Sequence, residues 1–476
     1  MNNKVKVVFI SGKFRVIHAG HVRLFRTASA LGQKLIVALD IENLVREEIE
    51  WRRTVLTGIE YVDQVVEFDK NLDLVLKEVK PDIVVKGYEF RDAENPESKV
   101  LNEFGGKLVF TSGANFFSES DLIGKSDSEF IEKLSKLPKG FMARNDISTN
   151  KLLEILNSLS SLRVCVIGDL IIDEYINCHP LGMSAEEPTV VVTPVDRRRY
   201  FGGAGIVAAH CKSLGSKVSL ITVTGDDETS DWASSKALEY EIEYLRIVDD
   251  SRPTTLKQRY RSGKQTLFKI SYMNQDLLGE QKEHEVINHF KGLAPNLDVL
   301  IFSDFSYGVL SSELVQQILQ IASSNGIFVS ADSQSSSQIG NLGKFCNIDF
   351  VSSTEREARL ELRDGTSGLV VVAESLRAQL RARHLLLKMG GDGVLISGED
   401  EIGKTVATDE IGAINKNPID TSGAGDSMLA VASLALACGA SIHEAALMGS
   451  ILASIQVGRI GNEPIPRRVL EDFLQL

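Results

Sequence analysis

The 476-residue chain carries 65 Asp and Glu against 52 Lys and Arg, a formal net charge of −13, which argues against nucleic acid or an anionic membrane surface as its main partner. Its 43% hydrophobic and 25% charged content is that of a globular protein with sizeable cores, and its length predicts about two or three domains. Five scattered cysteines with no C-x-x-C offer no zinc framework and predict reduced thiols in a cytoplasmic protein. The start shows no signal peptide, and no apolar run reaches the roughly 18 residues of a membrane span.

In chain order, short β-branched runs come first: "VKVVFIS", "KLIVAL", "DQVVEF", "DIVVKG" and "KLVFTS". Each is followed by a polar or helical stretch, which predicts βαβ units on a parallel sheet over 1–125. Residues 126–160 are polar with helical periodicity, broken at Pro138-Lys139-Gly140, and predict a helical linker. A second alternation over 161–476 runs through "RVCVIGD", "KVSLITV", "VLIFSD", "IFVSAD", "FVSS" and "HLLLKMG". Within it, "TVVVTPVDRRRYF" and "TLKQRYRSGKQTLFKIS" alternate apolar and polar residues with basic insertions, which predicts a small antiparallel sheet protruding as a lid. The fold class is therefore α/β in two domains, a small Rossmann-like parallel sheet and a larger α/β body with a β lid.

Two motifs carry chemistry. In "SGKFRVIHAGHVRLF" a strand ends at Gly12 and a helix starts near Gly20, with His18 and His21 around the turn. Zinc would need a third ligand that no nearby Cys or His supplies. Two ordinary histidines are one alternative. The other is phosphate chemistry, with imidazoles at a helix N-terminus donating to a triphosphate. In "NPIDTSGAGDSMLA", Gly423, Ala424 and Gly425 can expose consecutive backbone N–H groups at a helix start, an anion hole for a transferring phosphoryl group. Asp426 at the same helix end is placed to accept a proton from an attacking hydroxyl. Without the flanking residues, the same pattern would read as a glycine turn with an Asp cap.

The first motif resembles the cytidylyltransferase-like nucleotidyltransferases, with their G-x-F-D-x-x-H-x-G-H signature, and in particular the nucleotidyltransferase half of the bifunctional ADP-heptose synthases. "RRTVLTGIEYVDQVVEFD", "VLKEVKPDIVVKGYEF" and "SESDLI" extend the likeness. It implies that His18 and His21 stabilise nucleotide phosphates, that Gly12, Phe14 and Gly20 shape the site, that Arg52 and Lys86 add charge, and that Ser118 and Ser120 donate hydroxyls. Arg15 stands at the family's Asp and Glu119 at its Thr.

The second motif resembles the ribokinase-like (PfkB) sugar kinases, again with the heptose-phosphate kinase half of ADP-heptose synthase as the particular branch. "VIGDLIIDEYI", "SAEEPTVVV", "FGGAGIVAAH", "IFSDFSYGVL", "LLLKMGGDGVLI" and "GRIGNEPI" carry that likeness. It implies Asp426 as catalytic base, with Gly423, Ala424 and Gly425 as anion hole. Asp169, Asp173, Gly202, Gly203 and Asp304 would form the sugar site, Lys388, Gly390 and Gly393 the nucleotide side, and Glu357 a magnesium contact through water. Ile206 replaces the family's Asn, Tyr307 and Gln334 replace two lysines, and Thr354 replaces another Asn. An acceptor pocket altered in this way cannot read the same hydroxyls. The basic "DRRRY" cluster reads either as a solvated lid edge or as a phosphate contact.

Together the resemblances imply a bifunctional enzyme of nucleotide-sugar synthesis with the domain order reversed. It would use ATP, Mg2+, a sugar or sugar phosphate and a nucleoside triphosphate, as a homodimer or higher homo-oligomer, without nucleic acid or membrane. Two alternatives are a kinase whose N-terminal domain does not turn over and a non-catalytic sugar-nucleotide sensor.

Overall fold

The computed structural model describes residues 6–14, 17, 19–42, 44–87, 95–111, 137–184, 186–187, 189–262, 265–334, 340–399, 403–404, 406 and 408–475. The chain divides into two compact units. The first is Met1–Asp127 with Asn177–Val195 and Arg261–Gln265, and the second is Ser128–Ile176, Asp196–Tyr260 and Thr266–Leu476.

In the first unit, β1 (Val7–Gly12), β2 (Lys34–Asp40), β3 (Gln64–Phe68), β4 (Ile83–Gly87) and β5 (Lys107–Thr111) form a parallel sheet in the order β3-β2-β1-β4-β5. Successive side chains of β1 point to opposite faces, so an unbroken apolar run feeds two cores. Val8 and Ile10 join Val37, Leu39 and Phe25 in one core, while Phe9 joins Ile36, Ala38 and Val84 in the other. The chain leaves β1 toward β2 on one side and returns to β4 on the other. Sheets of this kind bind ligands beyond the strand C-termini at that reversal, here beside Gly12 and Lys86.

The second unit holds β6 (Arg163–Gly168), β7 (Leu170–Met183), β8 (Val190–Gly203), β9 (Lys217–Thr224), β10 (Glu243–Val248), β11 (Leu256–Ser262) and β12 (Gln265–Tyr272), the ends of β7, β8, β11 and β12 falling in the first unit. Then come β13 (Val299–Asp304), β14 (Phe328–Ser333), β15 (Phe350–Thr354), β16 (His384–Lys388), β17 (Val394–Ser397) and β18 (Asp409–Ile411). Nine of these make one sheet, β10-β9-β6-β13-β14-β15-β16-β17-β18, parallel as far as β16 and antiparallel beyond it. The small sheet has the order β12-β11-β7-β8. Beneath the large sheet, helix Ala424–Ala437 is buried from Asp426 through Leu436 and packs against helix Ile442–Gln456. Small residues allow that approach: a Cβ at Gly449 would come within 2.8 Å of Met428 Cγ.

The expected linker is not a spacer over its described part. Helices Lys139–Arg144 and Thr149–Ser158 send Phe141, Leu152, Ile155 and Leu156 into the main core of the second unit. Arg144 forks onto Asp409 of β18 at 2.8 and 2.7 Å, and the Asn145 amide adds a third bond to the same carboxylate at 2.9 Å. The polar sequence hid this because only one face of each helix is apolar. The C-terminal helix Arg467–Gln475 packs on the Thr149–Ser158 helix through the same core, and Arg467 donates to Asn157. Among the described residues no helix is long and apolar enough to cross a membrane.

Losing four buried side chains such as Phe141, Leu152, Ile155 and Leu156 removes several kcal/mol of burial, at about 1.5–3 kcal/mol each. A fragment starting at residue 161 is therefore expected to be insoluble or to melt well below one starting at residue 137. Circular dichroism melts of the two fragments check this.

Candidate active sites

A cavity of about 910 Å³ opens in the second unit. Its floor is the turn Gly423–Gly425, where Gly423 has φ +76° and ends against the Ala424–Ala437 helix. That positive φ is open to glycine at no cost, and it sets the turn at the positive end of a helix. Asp426 follows directly. It is 6% exposed and its Oδ1 accepts a 2.9 Å hydrogen bond from the Gln334 side chain. Burial, and after it the neighbouring Asp332 carboxylate, raise its pKa to about 7.

Below the turn, Lys388 donates to Asp332 at 2.6 Å. Burial works against the Lys388 charge, but Asp332 and Glu357 outweigh it and its pKa is raised. A Cβ at Gly425 would lie 3.2 Å from Lys388 Nζ, so the ammonium sits directly under the anion turn. Glu357 also lines the cavity and closes a capping box with Thr354, whose N–H it accepts at 2.7 Å. Thr354, at the family's Asn, is thus a helix cap. Gly390 (φ +61°) and Gly393 (φ +102°) border the same cavity with Gly412 to Lys416. Among the described residues, no group of three or more His, Cys, Asp or Glu is arranged to hold a metal directly.

Also lining the cavity, Asp173 accepts from Arg259 at 2.6 Å, and a Cβ at Gly202 would approach Asp173 Oδ2 to 2.7 Å. Gly203 lines the wall beside it. Lys257, two residues before Arg259 and so on the same face of β11, places its ammonium 5.3 and 4.9 Å from the Phe305 and Tyr307 ring centres. Two residues expected here lie elsewhere. Asp169 is spent on the backbone N–H groups of Phe305 (2.7 Å), Tyr307 (3.3 Å) and Val309 (3.4 Å). Asp304 is tied to Lys344 at 2.8 Å and to Ser333 at 2.6 Å. Neither lines the cavity. Both carboxylates hold the loop after β13, and buried backbone donors and a buried ammonium demand that service.

In the first unit the sequence-marked residues gather partly at the reversal of strand order. Gly12 ends β1, Gly20 lies in helix Ala19–Ser29, and Phe14 is buried with φ +42°. His21 packs edge-on to Phe14 with ring centres 5.3 Å apart and stacks on Phe25 at 6.2 Å. Arg52 is buried and donates to the Lys13 carbonyl at 3.1 Å. Lys86 is paired with buried Glu97 at 2.7 Å and bonds Asn95 at 3.0 Å. His18, Arg15, Ser118, Glu119 and Ser120 lie outside the described residues.

The family model for pfkB family carbohydrate kinase matches residues 161–467. The chain belongs to the pfkB family of carbohydrate kinases. A cytidylyltransferase-like model matches residues 9–110, ahead of the kinase match. The chain is 29% identical over 320 residues to bifunctional protein HldE of Desulfatibacillum aliphaticivorans, covering 66% of this chain and 64% of that protein. With bifunctional protein HldE of Geotalea uraniireducens it shares 29% over 309 residues, 64% of this chain and 61% of that one. The chain thus spans under two thirds of the length of these relatives. Among solved structures, phosphofructokinase-2 from Escherichia coli in complex with substrates and products aligns with TM-score 0.54 and 16% identity, over 66% of this chain and 99% of that one. Arabidopsis thaliana ribokinase complexed with ribose and ATP aligns with TM-score 0.51 and 16% identity, over 66% and 99%. The second unit therefore has the ribokinase-like fold.

Within this pfkB unit, Ile206 and Tyr307 are fully buried, Ile206 in the main core and Tyr307 with Ile171 and Phe305. Neither lines the cavity, so those two exchanges do not open onto it. In the "DRRRY" cluster, Arg198 pairs with Asp196 (3.2 Å) and Arg199 with Glu174 (2.8 Å), and none of the five residues lines the cavity. Lys257, Arg259 and Asn462 were not singled out from the sequence. The alternating basic pattern of "TLKQRYR" was the available signal for the first two, and the "GRIGNEPI" string for Asn462.

A carboxylate whose pKa is raised by folding binds its proton more tightly in the folded state, so the stability that proton supplies is present at low pH and lost as pH rises. For Asp426 the loss accrues between about 3.8 and about 7. Asp426→Asn is expected to raise the melting temperature, by more at about pH 8 than at about pH 5. Thermal melts of both proteins at the two pH values check this.

Proposed function

We propose that the second unit transfers the terminal phosphoryl group of ATP to a hydroxyl of an anionic sugar, a sugar phosphate above all. The observation that carries this reading is Asp426, a carboxylate raised to about 7 at the mouth of a glycine anion turn. The acceptor hydroxyl gives its proton to Asp426 while its oxygen bonds the terminal phosphorus. The bond from that phosphorus to the bridging oxygen breaks, and ADP leaves. N–H groups of Gly423–Gly425 meet the charge on the phosphoryl oxygens during transfer. Magnesium, carried by the nucleotide phosphates, would neutralise their charge, and Glu357 is the cavity carboxylate suited to hold it through water. Lys257 has no ion-pair partner among the described residues, and with Arg259 it supplies positive charge at the acceptor end. These two cations, on a strand of the small sheet, serve in place of the lysines lost at Tyr307 and Gln334.

Assays with ATP, magnesium and a panel of sugars and sugar phosphates test the reading. Product formation is expected to rise with pH through an apparent pKa near 7, as Asp426 ionises. Asp426→Asn is expected to lose on the order of 100-fold or more in kcat. Lys257→Met is expected to raise KM about tenfold for a phosphorylated acceptor and to leave KM for ATP unchanged. Turnover that survives Asp426→Asn would sink the kinase assignment.

The first unit supports a second activity, transfer of a nucleotidyl group to a sugar phosphate with release of pyrophosphate. The two matched families and the HldE relatives support pairing a heptose-type kinase with such a transferase, in an order reversed from the ADP-heptose synthases. One observation favours a rival in which this unit binds without turnover: Lys86, the expected phosphate ligand, is already neutralised by buried Glu97. Pyrophosphate release from a nucleoside triphosphate and a sugar 1-phosphate, abolished by His18→Ala, is the expected result for the transferase. No release from wild type, with release gained in Glu97→Gln, would establish the rival. Exposed Leu181, Met183, Val190 and Val191 on the small sheet support a homo-oligomer.

A further inference from the structure

Asn462 is 3% exposed and lines the kinase cavity, yet its side-chain amide makes no hydrogen bond among the described residues and its Oδ1 is fully enclosed. Buried amides are nearly always paired, because each offers two donors and an acceptor that water would otherwise satisfy. Its position is not loose. Gly461, with φ +85°, has no room for a Cβ against the Tyr200 ring, and its N–H donates to Asp420 at 3.3 Å. The Gln456 side chain then ties the Gly461 carbonyl (3.0 Å) to the Ser422 carbonyl (3.2 Å). One buried amide thereby locks the segment carrying Asn462 to the segment carrying the anion turn. A Cβ at Gly423 would overlap the Asn462 amide, so the two residues face each other directly.

We propose that Asn462 contacts the phosphoryl group in transfer, its Nδ2 donating to a phosphoryl oxygen alongside the N–H groups of Gly423–Gly425. This rests on the kinase reading above. Rotation about the last side-chain torsion exchanges the two ends of the amide with no backbone movement, and a polyanion bound at the turn favours the donor end. Asn462 abuts the first residue of the anion turn, whose N–H groups meet the transferring phosphoryl group on the reading above. The group it meets is therefore the terminal phosphate of a nucleoside triphosphate.

Equilibrium affinities for Mg·ATP and for ADP, with apo melting temperatures, test this on wild type, Asn462→Leu, Asn462→Asp and Asp426→Asn. Asn462→Leu is expected to weaken ATP about tenfold with ADP affinity unchanged. Its melting temperature should hold or rise, since no protein hydrogen bond is lost. Asn462→Asp should weaken ATP further through like charge. With a turned-over acceptor, Asn462→Leu should lower kcat on the order of 100-fold with acceptor KM unchanged. An unaltered ATP-to-ADP ratio in Asn462→Leu, or an equal loss for both nucleotides, overturns the assignment while ATP binding by wild type and Asp426→Asn leaves the kinase reading standing. A drop in melting temperature with that equal loss would make Asn462 a packing residue. If wild type binds neither nucleotide, both fall together.

Discussion

The ion pair between Lys388 and Asp332, 2.6 Å long and sealed under the anion turn, is the interaction on which the kinase unit depends. A lone ammonium at that depth would lose its charge, and a lone carboxylate would gain a proton. Paired, they keep a positive charge beneath Gly425 and a negative one near Asp426. The first prepares the turn for a polyanion. The second, with burial, lifts Asp426 into the range where it can take a proton and later release it. Gln334 orients Asp426 without adding charge. A lysine there would hold the carboxylate ionised and make it a weaker base.

On the proposed reading both units face the same difficulty, since a chain of net charge −13 must receive phosphates. The kinase unit offers a glycine turn at a helix end, one buried lysine, and two cations on a strand of the small sheet. In the other unit the two cations expected at the phosphates are committed: Arg52 to a carbonyl and Lys86 to Glu97. Electrostatic preparation is thus far more visible around Asp426 than at the end of β1.

Much of this was legible in the sequence, and the gaps have physical causes. Alternating apolar runs declared both parallel sheets, because strands covered on two faces must be apolar throughout. The D-T-S-G-A-G-D string declared the anion turn, since few backbones need such consecutive small residues at a helix start. Asp169 and Asp304 looked like ligands because a carboxylate reads the same whether it meets a sugar or a loop's N–H groups. Glu97 could not be foreseen as the partner of Lys86, because an ion pair between a strand end and the next helix leaves no local pattern. Lys257 and Arg259 were visible as basic insertions, but alternation alone does not say which face of a strand looks into a cavity. The helices before residue 161 passed for a tether because half of each helix is as polar as a tether.

Those helices complete the core together with the last helix of the chain, Arg467–Gln475. The kinase unit therefore begins and ends at one place, with its first and last segments packed side by side. During synthesis its apolar sheet faces cannot be fully covered until that last helix has been made, so they wait through more than 300 residues of growth, exposed to chaperones and to one another. The same geometry frees the ends from any fixed position along the chain: a short bridge could join them and new termini be cut at a surface turn. A unit closed in this way can take a companion domain on either side without a change to its core.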